Sequence, residues 1–214
     1  MNRNAKSAAG SGASAWPRTG RQADAGPRRN IRYELFVLGE LMGAPQHGYR
    51  LRETLNRILG PFRQVSWGVL YPLIHDLERE GLIVAEEGPE AERTGDGGSN
   101  RQPHSYHMTA AGAVRFHAIM CEPAAYTADY PDIFMLKLNL SGNVTAAEQL
   151  SILEHHHAYL QTAADYLRRE QQFVSNHATL PERERPYILR FLAYRLHVVQ
   201  AELDWLDGEI ARPV

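Results

Sequence analysis

Side chains around residues 66–75 could contact a ligand or a polymer. Trp67, Tyr71 and His75 recur every four residues, so on a helix they would share one face. Ser66 directly precedes them, and serine is a favoured N-cap residue at helix starts, where free amides suit a phosphate oxygen. The Tyr71 hydroxyl could donate a hydrogen bond to a phosphate, or its ring could fill the junction with a following sheet. Gln64 and Ser66 could reach base edges or phosphates, or could be only loop and cap residues.

Residue types that support catalysis or metal binding form no complete pattern. His155, His156 and His157 are consecutive, and successive helical positions point about 100° apart, so they cannot chelate one ion together. Cys121 is the single cysteine and has no companion at metal-ligand spacing, so we expect it to pack, with redox sensing as the alternative. The sequence contains no nucleophile-elbow, phosphate-loop or zinc-protease motif. We therefore expect no enzyme activity, no cofactor and no metal.

The composition is that of a globular protein with an uneven distribution of charge. The 214 residues are 43% hydrophobic and carry a formal net charge of -2. Neither a membrane span of roughly 20 apolar residues nor a secretory signal is present, so we expect a cytoplasmic protein. Residues 1–29 hold six basic residues and one acidic residue, which predicts a flexible basic tail that either contacts phosphates or has no role. The remainder is acidic, so any nucleic-acid binding requires a local basic or dipolar patch.

Three short helices and two strands would position the candidate residues. The apolar pattern predicts helices over 31–41, 49–59 and 67–80, which end at glycine or proline signals. Three such helices in about fifty residues form a helix-turn-helix plan. Two β-prone runs, 82–85 and 104–108, flank a polar stretch and predict a two-stranded wing. The fold class is therefore mainly α with a small β-wing.

The C-terminal part is predicted to contain two long helices that form a dimerisation domain. Thr145 and Glu148 have the spacing of a capping box at the start of the first. The last helix carries a leucine-rich row with alternating spacings of three and four, and an aromatic stripe beside it. Because this apolar face is wider than one partner helix can cover, we expect a homodimer. The expected dimerisation residues are Leu189, Leu192, Leu196, Val199, Leu203 and Leu206.

Three motifs resemble the PadR family of winged helix regulators. His47-Gly48-Tyr49 opens the second predicted helix, and residues 70–83 read L-Y-P-L-I-H-D-L-E-R-E-G-L-I through the third helix into the wing. Residues 106–112 read Y-H-M-T-A-A-G, which is similar to the family's exit from the wing. Residues 134–138, followed by two long helices, resemble the larger PadR subgroup with a C-terminal domain of the virulence-activator-alpha type.

The resemblance implies a homodimer that binds operator DNA, represses or less often activates a nearby promoter, and responds to a small molecule. The implied organisation is a tail (1–29), a winged helix-turn-helix domain (30–112), a connecting segment (113–144) and a helical dimerisation domain (145–214). The alternative is a winged helix module that binds proteins and has lost DNA binding. The implied DNA-binding residues are Gln64, Ser66, Trp67, Tyr71, His75, Arg101 and His104.

Two features refine what the resemblance implies. Acidic residues outnumber arginines in the predicted wing loop, so contact with the minor groove would depend chiefly on Arg101. By analogy with the family, a small molecule, an aromatic or phenolic acid, would occupy a cleft between the DNA-binding domain and the C-terminal helices. The residues expected to contact this effector are Arg115, His117, Tyr126, Tyr130, Phe134 and Trp205.

Overall fold

The computed structural model describes residues 30–87, 104–177 and 180–212. The predicted basic tail and Arg101 lie outside the described residues, as does the side chain of His104. Of the four expected segments, the tail (1–29) is therefore outside the described residues, and the other three lie mostly within them.

Three helices begin the described chain, as the sequence predicts. They are α1 (Ile31–Gly43), α2 (Gly48–Leu59) and α3 (Trp67–Arg79). The side chain of Asn30 caps α1 by accepting a hydrogen bond from the Arg32 amide at 3.2 Å. Helix α1 passes through the centre of the domain, because four consecutive residues, 35–38, have no exposed surface. The predicted buried helix is thus confirmed.

A small antiparallel sheet follows the three helices. Strands β2 (Ile83–Glu87) and β3 (His104–Met108) pair with Ile83 opposite Met108 and Glu87 opposite His104, which confirms the two predicted strands. A third strand, β1 (Gln46–His47), pairs with the other side of β3 and gives the order β1-β3-β2. Strand β1 was not predicted, because two residues are too few to show the alternation of a strand.

Four further helices complete the described chain. They are α4 (Ala110–Cys121), α5 (Tyr130–Asn139), α6 (Ala146–Asn176) and α7 (Arg185–Ile210), with a short 3-10 turn over Ser141–Asn143. The expected boundary at residue 112 falls within α4. The Thr145–Glu148 capping box at the start of α6 is present as predicted. No helix in the described ranges is long and apolar enough to cross a membrane.

The leucine row of α7 packs against α6 of the same chain. Leu192, Val199, Leu203 and Leu206 are buried in the core shared by the two helices, while Leu189 and Leu196 are partly buried against it. The expectation that this row needs a second subunit was therefore wrong, because α6 already covers it. The apolar residues of α7 that α6 leaves exposed are those of the flanking stripe, Tyr187, Phe191, Tyr194, Val198 and Trp205.

Candidate nucleic-acid interface

The aromatic side chains of α3 form a continuous stack along the helix. The rings of Trp67 and Tyr71 lie 4.6 Å apart between centroids with an interplanar angle of 26°. The ring of His75 follows that of Tyr71 at 6.4 Å. The four-residue spacing thus places all three on one face, with His75 exposed and the other two half-buried. This face combines planar surfaces with hydrogen-bonding groups.

Helix α2 contributes arginines beside this stack. The guanidinium of Arg52 lies 4.5 Å from the centroid of the Trp67 ring, in cation–π geometry that joins α2 to α3. Arg50, two positions before Arg52, is exposed, and Arg57 pairs with Glu53 at 3.1 Å. Three arginines against one glutamate make α2 locally basic although the globular part is acidic. Arg52 was not among the predicted DNA-binding residues, although it lies one helical turn after the His47-Gly48-Tyr49 motif.

The loop before α3 holds two of the candidate residues at the surface. Gln64 and Ser66 are both exposed, while Val65 between them is buried and donates its amide hydrogen bond to Asn56 Oδ1 at 2.6 Å. Ser66 occupies the N-cap position of α3, but its side chain makes no hydrogen bond to the helix. The buried valine therefore anchors the loop and leaves the Gln64 and Ser66 side chains turned to solvent.

The described part of the wing is acidic, as the sequence indicates. Glu86 on β2 lies 2.6 Å from His107 Nε2 on β3, so the two strands are linked by an ion pair whenever the histidine is protonated. Backbone pairing places His104 opposite Glu87 at the tip of the described strands. The described wing thus offers no added positive charge beyond its histidines.

The structure brings together three of the six expected effector residues. Tyr126 and Tyr130 meet edge to face with centroids 5.0 Å apart, and Tyr130 and Phe134 line a small cavity between α4, α5 and α6. Its volume of about 20 Å³ has room for roughly one water molecule and not for an aromatic acid. Lys137, which was not among the predicted residues, also lines the cavity. It is buried, and its amine donates a hydrogen bond to the Glu122 carbonyl oxygen at 2.7 Å. Burial lowers the pKa of Lys137.

The other three expected effector residues lie elsewhere. Arg115 on α4 pairs with the buried carboxylate of Glu34 on α1, with its Nε 2.7 Å from Oε1. His117 lies 2.9 Å from Glu148 at the start of α6, and Trp205 is exposed on α7. Within one chain the six residues therefore do not form a single cluster, since Arg115 and His117 lie on α4 and Trp205 lies on α7, away from the three aromatic residues near α5.

A larger cavity lies between α1, the loop before α3 and α5. Its volume of about 350 Å³ is in the range of ligand pockets, and Gln64 is among its lining residues. Asp132 on α5 accepts hydrogen bonds from Arg63 at 2.7 Å and from Arg32 at 2.5 Å. The hydrogen bond from Arg63 lowers the pKa of Asp132. This cavity adjoins the loop before α3, which carries Gln64 and Ser66. The sequence did not predict the cavity, because its lining residues are far apart along the chain.

The three consecutive histidines have three separate environments, as the helical geometry predicts. His155 Nε2 lies 2.9 Å from the Ala124 carbonyl oxygen, and His157 Nε2 lies 3.0 Å from Asp207 Oδ1. His156 is buried and its ring stacks on Phe134 with centroids 3.5 Å apart. Burial lowers the pKa of His156 to about 4, which keeps the ring uncharged at neutral pH.

Three short helices followed by a small antiparallel sheet define a winged helix-turn-helix protein. Residues 37–118 match the transcriptional regulator PadR-like family. The chain is similar to this family over these residues, which make up less than half of its length. The matched region begins inside α1 and includes all of α2, α3 and the described wing strands.

Several solved structures are similar to the chain. Bacillus subtilis PadR in complex with operator DNA is 20% identical, and the match covers 87% of this chain and 99% of that chain with a TM-score of 0.36. Bacillus subtilis PadR in complex with p-coumaric acid is 19% identical, with coverages of 84% and 97% and a TM-score of 0.35. The Vibrio cholerae virulence activator AphA is 19% identical, with coverages of 84% and 96% and a TM-score of 0.33. No curated protein sequence matches the chain.

Proposed function

We propose that the chain binds operator DNA as a homodimer, inserts α3 into the major groove, and represses transcription until a small molecule binds. The observation that carries the proposal is the stacked face of Trp67, Tyr71 and His75 beside the arginines of α2, within a PadR-like segment. In this arrangement Arg52 packs over the Trp67 ring and joins α2 to α3, and Tyr71 and His75 continue the same face of α3. The exposed loop residues Gln64 and Ser66 stand at its N-terminal end, where the helix dipole favours a phosphate.

A two-fold homodimer would present two α3 helices to the DNA. The preferred operator is then an inverted repeat whose half-sites lie about one helical turn apart, roughly 34–36 Å, or a multiple of it. Selecting bound fragments of genomic DNA with purified protein tests this proposal directly. A recovered set without a shared inverted repeat would contradict it.

A protein-interaction module without DNA binding is the second candidate function. The acidic described wing, with Glu86 paired to His107, is the observation that favours it. The two functions differ in a mobility-shift assay on the DNA upstream of the gene. A shift that persists at physiological salt and is lost with scrambled DNA supports the regulator, whereas binding lost at modest salt for both duplexes supports the module.

For the effector, we propose an aromatic or phenolic acid that binds where α5 meets the winged helix domain. The p-coumaric acid complex of the Bacillus subtilis protein suggests this chemical class. The cavity beside Gln64 is large enough for such a molecule, and Arg32 and Arg63 supply cations near it. Addition of p-coumaric acid to the mobility-shift assay should release the DNA, and no release at millimolar acid would count against this class.

Replacing Tyr71 with phenylalanine should weaken specific and non-specific DNA binding alike. The change removes one neutral hydrogen bond to a phosphate, worth about 0.5–1.5 kcal/mol, and leaves the ring to stack on Trp67. By contrast, Gln64→Ala or His75→Ala should damage the preferred site selectively, by about 1–3 kcal/mol if either side chain contacts a base edge. Affinities for operator and scrambled duplexes at two salt concentrations measure both effects.

The control for Tyr71 is its replacement with alanine. If Tyr71→Phe leaves DNA affinity unchanged and Tyr71→Ala unfolds the domain, the tyrosine packs and does not contact DNA. That result would move the interface away from this face of α3.

Deleting residues 1–28 should reduce affinity for DNA without changing the preferred sequence. Most of the six basic residues of the tail are lost, and tail contacts to phosphates add attraction without base readout. The dependence of affinity on salt should therefore become shallower, by about 0.9 in logarithmic slope for each phosphate contact removed. An unchanged slope would show that the tail does not contact the DNA.

A further inference from the structure

Three side chains of metal-ligating type meet where α4 lies against the start of α6. His117 and Cys121 are one turn apart on α4, and Glu148 comes from the first turn of α6. The His117 Nε2 atom lies 2.9 Å from Glu148 Oε1 and 3.6 Å from Cys121 Sγ. One ligand atom from each residue lies within 4.8 Å of the other two. The expectation that Cys121 has no companion was wrong, because the spacing of four and the packing of α6 supply two.

Two of the three distances within this cluster are close to those around a tetrahedral ion. With bonds of about 2.0–2.3 Å to nitrogen, oxygen and sulfur, tetrahedral zinc holds its ligand atoms about 3.4–3.6 Å apart. The nitrogen–sulfur distance of 3.6 Å already has this value. The nitrogen–oxygen distance of 2.9 Å has to open by about half an ångström, which small side-chain rotations supply. A thiolate and a carboxylate also balance the charge of a divalent ion.

We propose that His117, Cys121 and Glu148 bind a zinc-class divalent ion, with the fourth coordination position open to water. The thiolate and imidazole suit this class of ion better than magnesium or calcium, which prefer oxygen ligands. His117 is exposed and the other two side chains are partly exposed, so an ion can enter from solvent.

The two oxygens of Glu148 have separate roles that suit this site. Oε2 accepts hydrogen bonds from the Thr145 amide and hydroxyl, both at 2.8 Å, in the capping box of α6. Oε1 is the atom that faces His117. The capping box therefore orients the carboxylate, as hydrogen bonds to metal ligands do in other proteins. Because the ion would bind Oε1, it would leave the hydrogen bonds of Oε2 intact.

The position of the cluster means that a bound ion would link α4 to α6. Helix α4 follows the wing strand β3 directly, and α6 begins the pair of long C-terminal helices. An ion shared by both helices would fix the winged helix domain relative to α6. This inference does not rest on DNA binding, since it concerns contacts within the described chain alone.

The test uses the untagged full-length protein, freed of metal and kept reduced. Titration with zinc chloride against a chromophoric chelator should show about one ion per chain, and the melting temperature should rise with zinc. Cobalt chloride should give the charge-transfer absorption of a thiolate-bound ion, since Co²⁺ accepts the same tetrahedral ligands.

Single variants assign the ligands. Cys121→Ser and His117→Ala should each weaken zinc binding roughly 100-fold or more, since loss of a direct ligand exceeds the 10–100-fold effect of losing its hydrogen-bond partner. Glu148→Gln should weaken it while α6 stays capped, because glutamine also serves in a capping box. His197→Ala, an exposed histidine on α7, is the matched control and should bind zinc like the original chain.

Two results would overturn the proposal. One is the absence of zinc binding by the original chain under these conditions. The other is zinc affinity that Cys121→Ser and His117→Ala leave unchanged, together with a cobalt spectrum that lacks the thiolate band. Circular dichroism shows whether each variant is still folded, so that weaker zinc binding can be attributed to the missing ligand atom. Glu148→Gln changes a ligand atom with the smallest change in side-chain size.

Discussion

Replacing Tyr194 and Val198 together with glutamate should yield a folded monomer, whereas Leu203→Glu alone should unfold the C-terminal helices. Tyr194 and Val198 are 65% and 39% exposed on the side of α7 that turns away from α6, while Leu203 is 3% exposed. At 100° per residue, the leucine row and the aromatic stripe lie on roughly opposite sides of the helix. The two changes therefore address two different interfaces.

The expected effects differ because of what each side chain contacts. Leu203→Glu removes apolar burial worth about 1.5–3 kcal/mol and places an unpaired carboxylate between α6 and α7, at a further cost of several kcal/mol. That sum is comparable with the whole stability of a small domain. Glutamates on the exposed stripe cost little in a single chain. We propose that the homodimer forms through this stripe, and in such a symmetric dimer the glutamates would face the same stripe of the partner.

Sedimentation and circular dichroism distinguish these outcomes. The double variant should lose dimers and keep its helical signal, and Leu203→Glu should lose the helical signal or precipitate. Ala193→Glu with His197→Glu is the matched control, because it adds two carboxylates, also four residues apart, to exposed positions of α7 outside both rows. Persistence of the dimer in Tyr194→Glu/Val198→Glu would place the subunit interface on another surface.

The spacing of apolar residues in α7 identified the leucine row correctly. The helix expected to cover this row was one of a second subunit, whereas the structure shows α6 of the same chain. Both the leucine row and the stripe through Tyr187, Phe191, Tyr194 and Val198 alternate spacings of three and four. Such a pattern identifies a face that must be covered, and it contains no information on which helix covers it. Only the packing of α6 against α7 showed that the leucines belong to the chain's own core.

Local signals predicted the winged helix better than the parts that depend on long-range packing. Helices α1–α3, strands β2 and β3 and the Thr145–Glu148 cap follow from periodicity, turn residues and short motifs. Helix α5 was not predicted, since residues 113–144 were expected only to form a connecting segment, although Pro131 in the first turn favours a helix start. The pairs Arg115–Glu34 and His117–Glu148 join residues far apart in sequence, so spacing could not reveal them.

Gly112→Ala should destabilise the winged helix domain by at least about 1–3 kcal/mol, the cost of forcing an extra group into a packed site. A Cβ at this position would lie 2.0 Å from the Leu82 carbonyl oxygen and 2.6 Å from Met108 Sδ. The methionine can rotate away, but the carbonyl belongs to the backbone between α3 and β2. It already accepts hydrogen bonds from the Thr109 amide at 3.2 Å and the Thr109 hydroxyl at 3.0 Å.

This close approach explains why the Y-H-M-T-A-A-G segment ends in glycine. The Gly112 amide donates a hydrogen bond to the Thr109 hydroxyl at 3.0 Å. The N-cap residue Thr109, Gly112 and the Leu82 carbonyl therefore form one junction between α3, the wing and α4. Moving Leu82 to admit a methyl group would strain all of these hydrogen bonds at once. Gly43→Ala, where a Cβ meets nothing within 4 Å, is the matched control and should leave stability nearly unchanged. The denaturant midpoints of the two variants measure the difference in stability. Equal midpoints would mean that the backbone around Leu82 moves to admit the methyl group at little cost, and that α4 does not hold the wing against α3.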